Sequence, residues 1–102
     1  MAQVITVFRS RLRDDVPDEY FTLAAELRAR AEKIDGFVEQ KVFVAEDGER
    51  LTLVVFETDD AQHQWRTDPV HRAAQQRGRD EFYDEYDITV AEAERRHIWQ
   101  RA

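Results

Sequence analysis

The chain has 102 residues, enough for one hydrophobic core, so we expect a single domain over residues 1–102. It contains 42% hydrophobic and 36% charged residues, a balance typical of a folded globular protein rather than a disordered one. The formal charge of −7 argues against a nucleic-acid-binding protein. The absence of cysteine excludes disulfides, thiolate catalysis and cysteine-based metal sites.

The N-terminal sequence "MAQVITVFRSRLR" lacks the basic start and long apolar run of a signal peptide. No apolar stretch approaches the length that spans a membrane. We therefore expect a cytoplasmic protein that does not associate with a membrane.

The first half of the chain predicts a strand, a helix and a hairpin. Residues 3–12 are rich in β-branched and aromatic side chains and predict a strand. Residues 14–36 carry apolar side chains at helical spacing, and Gly36 supplies a stop signal. Residues 37–57 predict two strands joined around the turn sequence "DG".

The second half predicts two short helices and a last strand. The sequence "TDDAQHQW" predicts a helix with Thr58 or Asp59 as its N-cap. A second helix is expected to start with Asp68 as N-cap and Pro69 in the first helical position. The last strand is predicted over residues 86–96.

The resulting order is βαββαβ, which predicts an α+β, ferredoxin-like fold with an antiparallel four-stranded sheet. The runs "VITVF" and "LTLVVF" in strands one and three are nearly continuously apolar, which is typical of central strands. Strands two and four carry more charge and are expected at the edges.

Both faces of this sheet are predicted to be apolar. In strand one, Ile5 and Val7 point to one face, and Val4 and Phe8 point to the other. The two-helix layer of this topology covers only one face, so a second copy of the sheet is the simplest cover for the other. We therefore predict a homodimer; the alternative is a monomer with an exposed sheet.

The chain resembles the antibiotic biosynthesis monooxygenase-like (ABM) proteins of the dimeric α+β barrel superfamily. The resemblance rests on "VFRSRL", "IDGFVEQKVFVAEDGERLTLVVFE" and above all "WRTDPVHRAAQQRGRDEFYDEYDITV". Members of this family include oxygenases that convert electron-rich phenols or quinols to quinones without a cofactor. Other members degrade haem, and many have no known activity.

The resemblance implies a small aromatic substrate, O₂ as co-substrate and no cofactor. The protein must then deprotonate the phenol, exclude water and stabilise the anion or reduced oxygen that forms. A pocket between sheet and helices would supply the enclosure, with Phe8, Phe56 and Trp65 as its expected lining.

His71 is the predicted base, because imidazole titrates near physiological pH. If Asp68 caps the helix, His71 lies in the first turn, where the positive end of the helix dipole favours the neutral imidazole. The alternative is a structural histidine that packs beside the "TDP" turn.

Two aromatic residues each fit two roles. Trp65 is expected either to stack on a flat substrate and donate its indole N–H, or to anchor its helix on the sheet as a core residue. Tyr83 is expected either to donate a hydrogen bond to the substrate or to fill the boundary between the helix and the last strand.

Arg72 and Arg79 are seven positions apart, near one face of the predicted helix, where they would meet an anionic substrate. The alternative is that both are solvated or paired with nearby carboxylates. His63 and His71 lose helical register across Pro69, and no third ligand is evident, so no metal site is predicted.

Two other functions compete with the oxygenase. Haem cleavage is disfavoured because Phe8 stands where the haem-degrading branch has an asparagine, and Gln75 stands where it has an axial histidine. Against the oxygenase, the chain contains no asparagine, the residue that some family members use to stabilise oxygen. A non-catalytic dimeric module that binds a small molecule fits as well, so the sequence leaves open whether the protein is an enzyme. A real cavity beside His71 and Trp65 would favour a ligand site.

Overall fold

A computed structural model describes residues 2–102. It contains four strands, three α-helices and one π-helical turn, Gly78–Phe82, which joins α3 to β4. In chain order these are β1 (Val4–Leu12), α1 (Glu19–Glu32), β2 (Phe37–Val44), β3 (Arg50–Phe56), α2 (Asp59–Arg66), α3 (Pro69–Arg77) and β4 (Tyr83–Glu92).

The four strands form one antiparallel sheet in the order β2-β3-β1-β4. The two apolar strands, β1 and β3, are central, and the more charged β2 and β4 are at the edges. The predicted ferredoxin-like α+β fold is therefore confirmed.

The two short helices begin at the predicted caps. Thr58, not Asp59, caps α2, and its hydroxyl oxygen accepts a hydrogen bond from the Ala61 backbone N–H at 3.1 Å. The Asp68 carboxylate accepts backbone hydrogen bonds from Val70 at 2.9 Å and His71 at 3.2 Å. These contacts satisfy N–H groups that the first turn of a helix leaves without partners.

Asp68 also fixes α3 against α1. Its carboxylate pairs with the Arg30 guanidinium at 2.7 Å, and the combined hydrogen bonds hold the pKa of Asp68 below its usual value. The first turn of α3, which carries His71, is therefore held at a defined position beside α1.

The predicted bounds of two elements are wrong. The last strand was expected over residues 86–96, but β4 is Tyr83–Glu92. Its limits follow its partner, because Leu12 pairs with Tyr83 and Val4 pairs with Glu92 at the two ends of β1. The first helix, expected over residues 14–36, is limited to Glu19–Glu32 by turns on both sides.

All three helices lie on the sheet face that carries Val54 and Phe56. Val54, Phe56 and Ala61 form the buried centre of the core, and Ile34, Phe37 and Trp65 pack against it. Within residues 2–102 no helix covers the opposite face. That face places Ile5 beside Val55, Val7 beside Leu53, and Arg9 beside Leu51.

Among residues 2–102, no helix is both long and apolar enough to cross a membrane.

Candidate functional site

A cavity of about 200 Å³ lies between the sheet and the helix layer. The floor comes from the helix-facing side of the sheet, including Thr6 and Phe8 of β1 and Val54 of β3. Each short helix contributes side chains at i, i+3 and i+4 spacing, which places them on one face. These are Gln62, Trp65 and Arg66 of α2 and His71, Ala74 and Gln75 of α3.

Four residues predicted from the sequence line this cavity: Phe8, Trp65, His71 and Tyr83. Phe56 does not, because it is fully buried beneath Trp65, with the two ring centroids 5.6 Å apart. Arg72 and Arg79 are exposed and lie outside the lining.

Trp65 and His71 form one wall of the cavity as a stacked pair. Their ring centroids are 4.4 Å apart and their planes are inclined by 33°. Trp65 lies near the end of α2 and His71 in the first turn of α3, and the two-residue connection between these helices brings the rings together. Trp65 also packs on Phe56, so the same ring contacts the core and borders the cavity.

His71 is placed to be neutral at physiological pH. Burial lowers the pKa of its imidazole, and the nearby Asp68 carboxylate opposes this shift without reversing it. The ring nitrogen Nδ1 is buried and has no hydrogen-bond partner in the protein. A neutral, half-buried imidazole at a cavity wall is chemically suited to accept a proton.

Two polar residues at the cavity were not predicted from the sequence. Gln62 is 1% exposed and Thr6 is 2% exposed, and both Gln62 Oε1 and Thr6 Oγ1 are buried without a hydrogen-bond partner. Each such atom costs about 1–3 kcal/mol, and buried atoms of this kind often mark a functional site. A signal for Gln62 was present in the sequence, since it precedes Trp65 by three residues and shares its helix face.

The other end of the cavity is aromatic. The Phe8 ring contacts Tyr83 at a centroid distance of 5.4 Å and Tyr86 at 5.5 Å. The Tyr83 hydroxyl donates to the Tyr20 hydroxyl at 3.4 Å, and burial raises the pKa of Tyr83 well above its usual value. Tyr83 therefore stays protonated, and its single O–H is directed to Tyr20.

Gly78 makes room for the Tyr83 ring. A Cβ atom at Gly78 would lie 2.7 Å from Tyr83 Cε2, closer than two carbon atoms can pack. Tyr83 is the first residue of β4, so it occupies the boundary between helix and strand and the cavity wall at once.

The residue set does not fit haem. Of the three histidines, only His71 lines the cavity, and Gln75 lines it at the position where the resemblance would place an axial histidine. Within residues 2–102 no group of three or more histidine, aspartate or glutamate side chains is arranged to hold a metal ion.

Similar proteins support the family assignment, although no family model matches the chain. A jasmonate monooxygenase, ABM, of Pyricularia oryzae is 31% identical over 88 residues, which cover 84% of this chain. The match covers 41% of that protein, so the chain spans less than half of its length. YqjZ of Bacillus subtilis is 27% identical over 94 residues, covering 92% of this chain and 82% of that protein.

The fold is shared with a solved structure of SnoaB, a cofactor-independent oxygenase from Streptomyces nogalater. The two superpose with a TM-score of 0.77 at 17% sequence identity, covering 94% of this chain and 97% of SnoaB. This likeness concerns the fold, whereas the match to the fungal monooxygenase concerns the sequence itself. Together they confirm the resemblance, and the chain belongs to the antibiotic biosynthesis monooxygenase-like family.

Proposed function

We propose that the protein is a cofactor-independent monooxygenase that oxidises an electron-rich aromatic phenol or quinol to a quinone with O₂. The observation that carries this proposal is the stacked Trp65–His71 pair on the wall of a mainly apolar cavity. The family assignment supports the reaction class, because one relative is a monooxygenase and one fold neighbour is a cofactor-independent oxygenase.

His71 would begin the reaction by accepting the phenol proton. The resulting phenolate is a much better electron donor than the phenol, so it reduces O₂ by one electron and forms a phenoxyl radical and superoxide. Trp65 lines the cavity beside His71, so its ring would contact the aromatic substrate while this happens. The mainly apolar lining limits the water that can compete for the charged species.

The two radicals then combine at the ring carbon para to the oxygen, and protonation gives a hydroperoxide. Loss of water from that carbon leaves a carbonyl, so one atom of O₂ enters the quinone and the other leaves as water. Overall, a phenol whose para carbon carries hydrogen plus O₂ gives quinone plus water, whereas a para-quinol plus O₂ gives quinone plus hydrogen peroxide. The Thr6 hydroxyl would donate a hydrogen bond to an oxygen atom that carries negative charge along this route, and Gln62 Oε1 would accept one from a substrate hydroxyl.

Oxygen uptake tests the proposed reaction. The purified protein is incubated under air with 1-naphthol, 1,4-dihydroxynaphthalene and anthrone, and with jasmonate because the fungal relative is named for it. We expect saturable uptake above autoxidation with an aromatic compound, and one labelled oxygen atom in the quinone formed from 1-naphthol or anthrone under ¹⁸O₂. Background uptake combined with saturable binding would instead favour a non-catalytic binding module.

We also propose that the protein is a homodimer formed through the sheet face opposite the helices. The centre of that face is apolar, with Val7 and Leu53 side by side on the two central strands. Charged residues lie toward the rim, where Arg9 pairs with Glu49. An apolar centre with a polar rim is the usual composition of a protein interface.

Light scattering after size-exclusion chromatography tests this assembly. We expect the mass of a dimer for the wild type and of a monomer for Leu53→Glu, because a carboxylate at the centre would be buried without a partner. Ala29→Glu, a change on the exposed side of α1, is the control and should remain dimeric. A monomeric wild type would contradict the proposal.

A further inference from the structure

Arg66 brings a positive charge to a cavity whose lining contains no acidic residue. The chain has 22 aspartate and glutamate residues and a net charge of −7, so a carboxylate-free lining differs from the rest of the molecule. The sequence predicts an anion site at Arg72 and Arg79, but neither residue lines the cavity. Arg66 is the only arginine among the lining residues.

The Arg66 guanidinium is available to a ligand. No carboxylate lies within ion-pair distance of it among residues 2–102, whereas Arg30 and Arg77 are both paired. Its hydrogen-bond partner in the protein is the exposed His63, whose Nδ1 is 2.7 Å from Arg66 Nη2. Four guanidinium N–H groups therefore remain free to bind an oxyanion.

The helix dipole accounts only in part for an arginine at position 66. A cation in the last turn of a helix is favoured by the helix dipole, whichever side of the helix it occupies. Arg66, however, follows Gln62 by four residues, which places both on the face that lines the cavity, about 6 Å apart along the helix axis. The buried Gln62 amide and the exposed Arg66 guanidinium thus mark an inner polar end and an outer cationic end.

We propose that the cavity selects an aromatic hydroxy acid, with its carboxylate bound by Arg66 and its hydroxyl group directed inward toward Gln62 and His71. This inference rests on the proposed function and names its substrate class. A guanidinium pairs with a carboxylate through two parallel hydrogen bonds, so it selects the acid over a neutral analogue.

The size of the cavity limits the ring system. A cavity of about 150 Å³ holds benzene, so the space of about 200 Å³ here fits one substituted ring or two fused rings. A two-ring acid with its hydroxyl and carboxylate at opposite ends matches the volume and presents one polar group to each end of the cavity.

Calorimetric titration with 6-hydroxy-2-naphthoate and its methyl ester tests the inference. At low ionic strength we expect the acid to bind wild-type protein about 5- to 20-fold more tightly than the ester. In Arg66→Gln the affinity for the acid should fall to that for the ester, while the affinity for the ester stays unchanged. Arg72→Gln, which changes an exposed arginine outside the lining, should keep the preference.

Equal binding of acid and ester by the wild type would overturn the inference, as would no binding of either probe at millimolar concentration. A preference that survives in Arg66→Gln, or disappears equally in Arg72→Gln, would also overturn it, because the effect would then reflect overall charge. Matching thermal midpoints for the two variants exclude a folding defect. Since the readout is binding, a protein that oxidises neutral naphthols without preferring the acid retains the proposed function and loses only this inference.

Discussion

His71→Gln is expected to lower the turnover of a phenol substrate by about 100- to 10,000-fold, the usual contribution of a general base. The amide keeps a polar, planar side chain beside Trp65 but cannot accept a proton at neutral pH. Substrate affinity should change far less than turnover, because the Trp65 face and the apolar floor remain. Steady-state oxygen uptake over a range of substrate concentrations separates the two effects.

The pH profile identifies the base more directly. Burial places the pKa of His71 below its ordinary value of about 6.5. Only the neutral ring accepts a proton, so kcat/KM should fall as the pH drops through the folded-state pKa, with a midpoint below 6.5.

The free energy of unfolding should also decrease as the pH falls. The unfolded chain binds the proton more readily, so the free energy of unfolding decreases as the pH falls from about 6.5 toward that pKa.

Both pH effects should disappear in His71→Gln. His97→Gln is the matched control, because His97 is exposed in the segment after β4 and does not line the cavity. Added imidazole should restore part of the activity of His71→Ala, which a purely structural histidine would not allow. Turnover near the wild-type level in His71→Gln would show that another group, or the substrate's own acidity, supplies the deprotonation.

Local rules predicted the elements well, and pairing partners decided where they end. The Asp68 cap follows from hydrogen bonds within three residues, so the sequence was sufficient to place it. At α2 the sequence left Thr58 and Asp59 as alternatives, and the structure places the cap at Thr58. The limits of β4 depend on β1, which lies more than 70 residues earlier in the chain. Nothing local in residues 83–85 indicates that they pair with the end of β1.

The candidate site was only partly predicted from the sequence. Periodicity tells which face of the sheet a side chain occupies, but not how deeply it is buried there. Phe8 and Phe56 both point to the helix side of the sheet, as expected. Phe8 meets open space, whereas the Trp65 ring covers Phe56. That difference depends on how α2 packs, which alternation along a strand does not report.

The two predicted arginines show that residue spacing has the same limitation on a helix. Arg72 and Arg79 were expected near one face of a single helix, but α3 ends at Arg77 and Arg79 lies in the π-helical turn that follows. Spacing also does not say which face of α3 meets the cavity. His71, Ala74 and Gln75 take that face, so Arg72, next to His71, is turned about 100° away from it. Arg66 was overlooked because its position beside the cavity depends on the packing of α2 on the sheet.

Phe56→Ala is expected to cost about 3–5 kcal/mol of unfolding free energy, the usual range for a fully buried phenylalanine. The ring lies on the central strand β3 and packs against Phe37 at 5.8 Å and Trp65 at 5.6 Å between centroids. Its removal leaves a cavity that these neighbours cannot fill without moving. Since domains of this size are stable by about 5–15 kcal/mol, the loss should be plain in urea or thermal unfolding.

Two further variants decide whether Phe56 supports the site or belongs to it. Phe21→Ala removes a ring that is 51% exposed on α1, and it should cost less than about 1 kcal/mol. Phe56→Leu keeps most of the buried volume under Trp65, so it should bind a naphthol with wild-type affinity despite reduced stability. If Phe56→Leu instead loses binding while its stability is nearly unchanged, the phenylalanine ring contacts the substrate, and the lining role predicted from the sequence is correct.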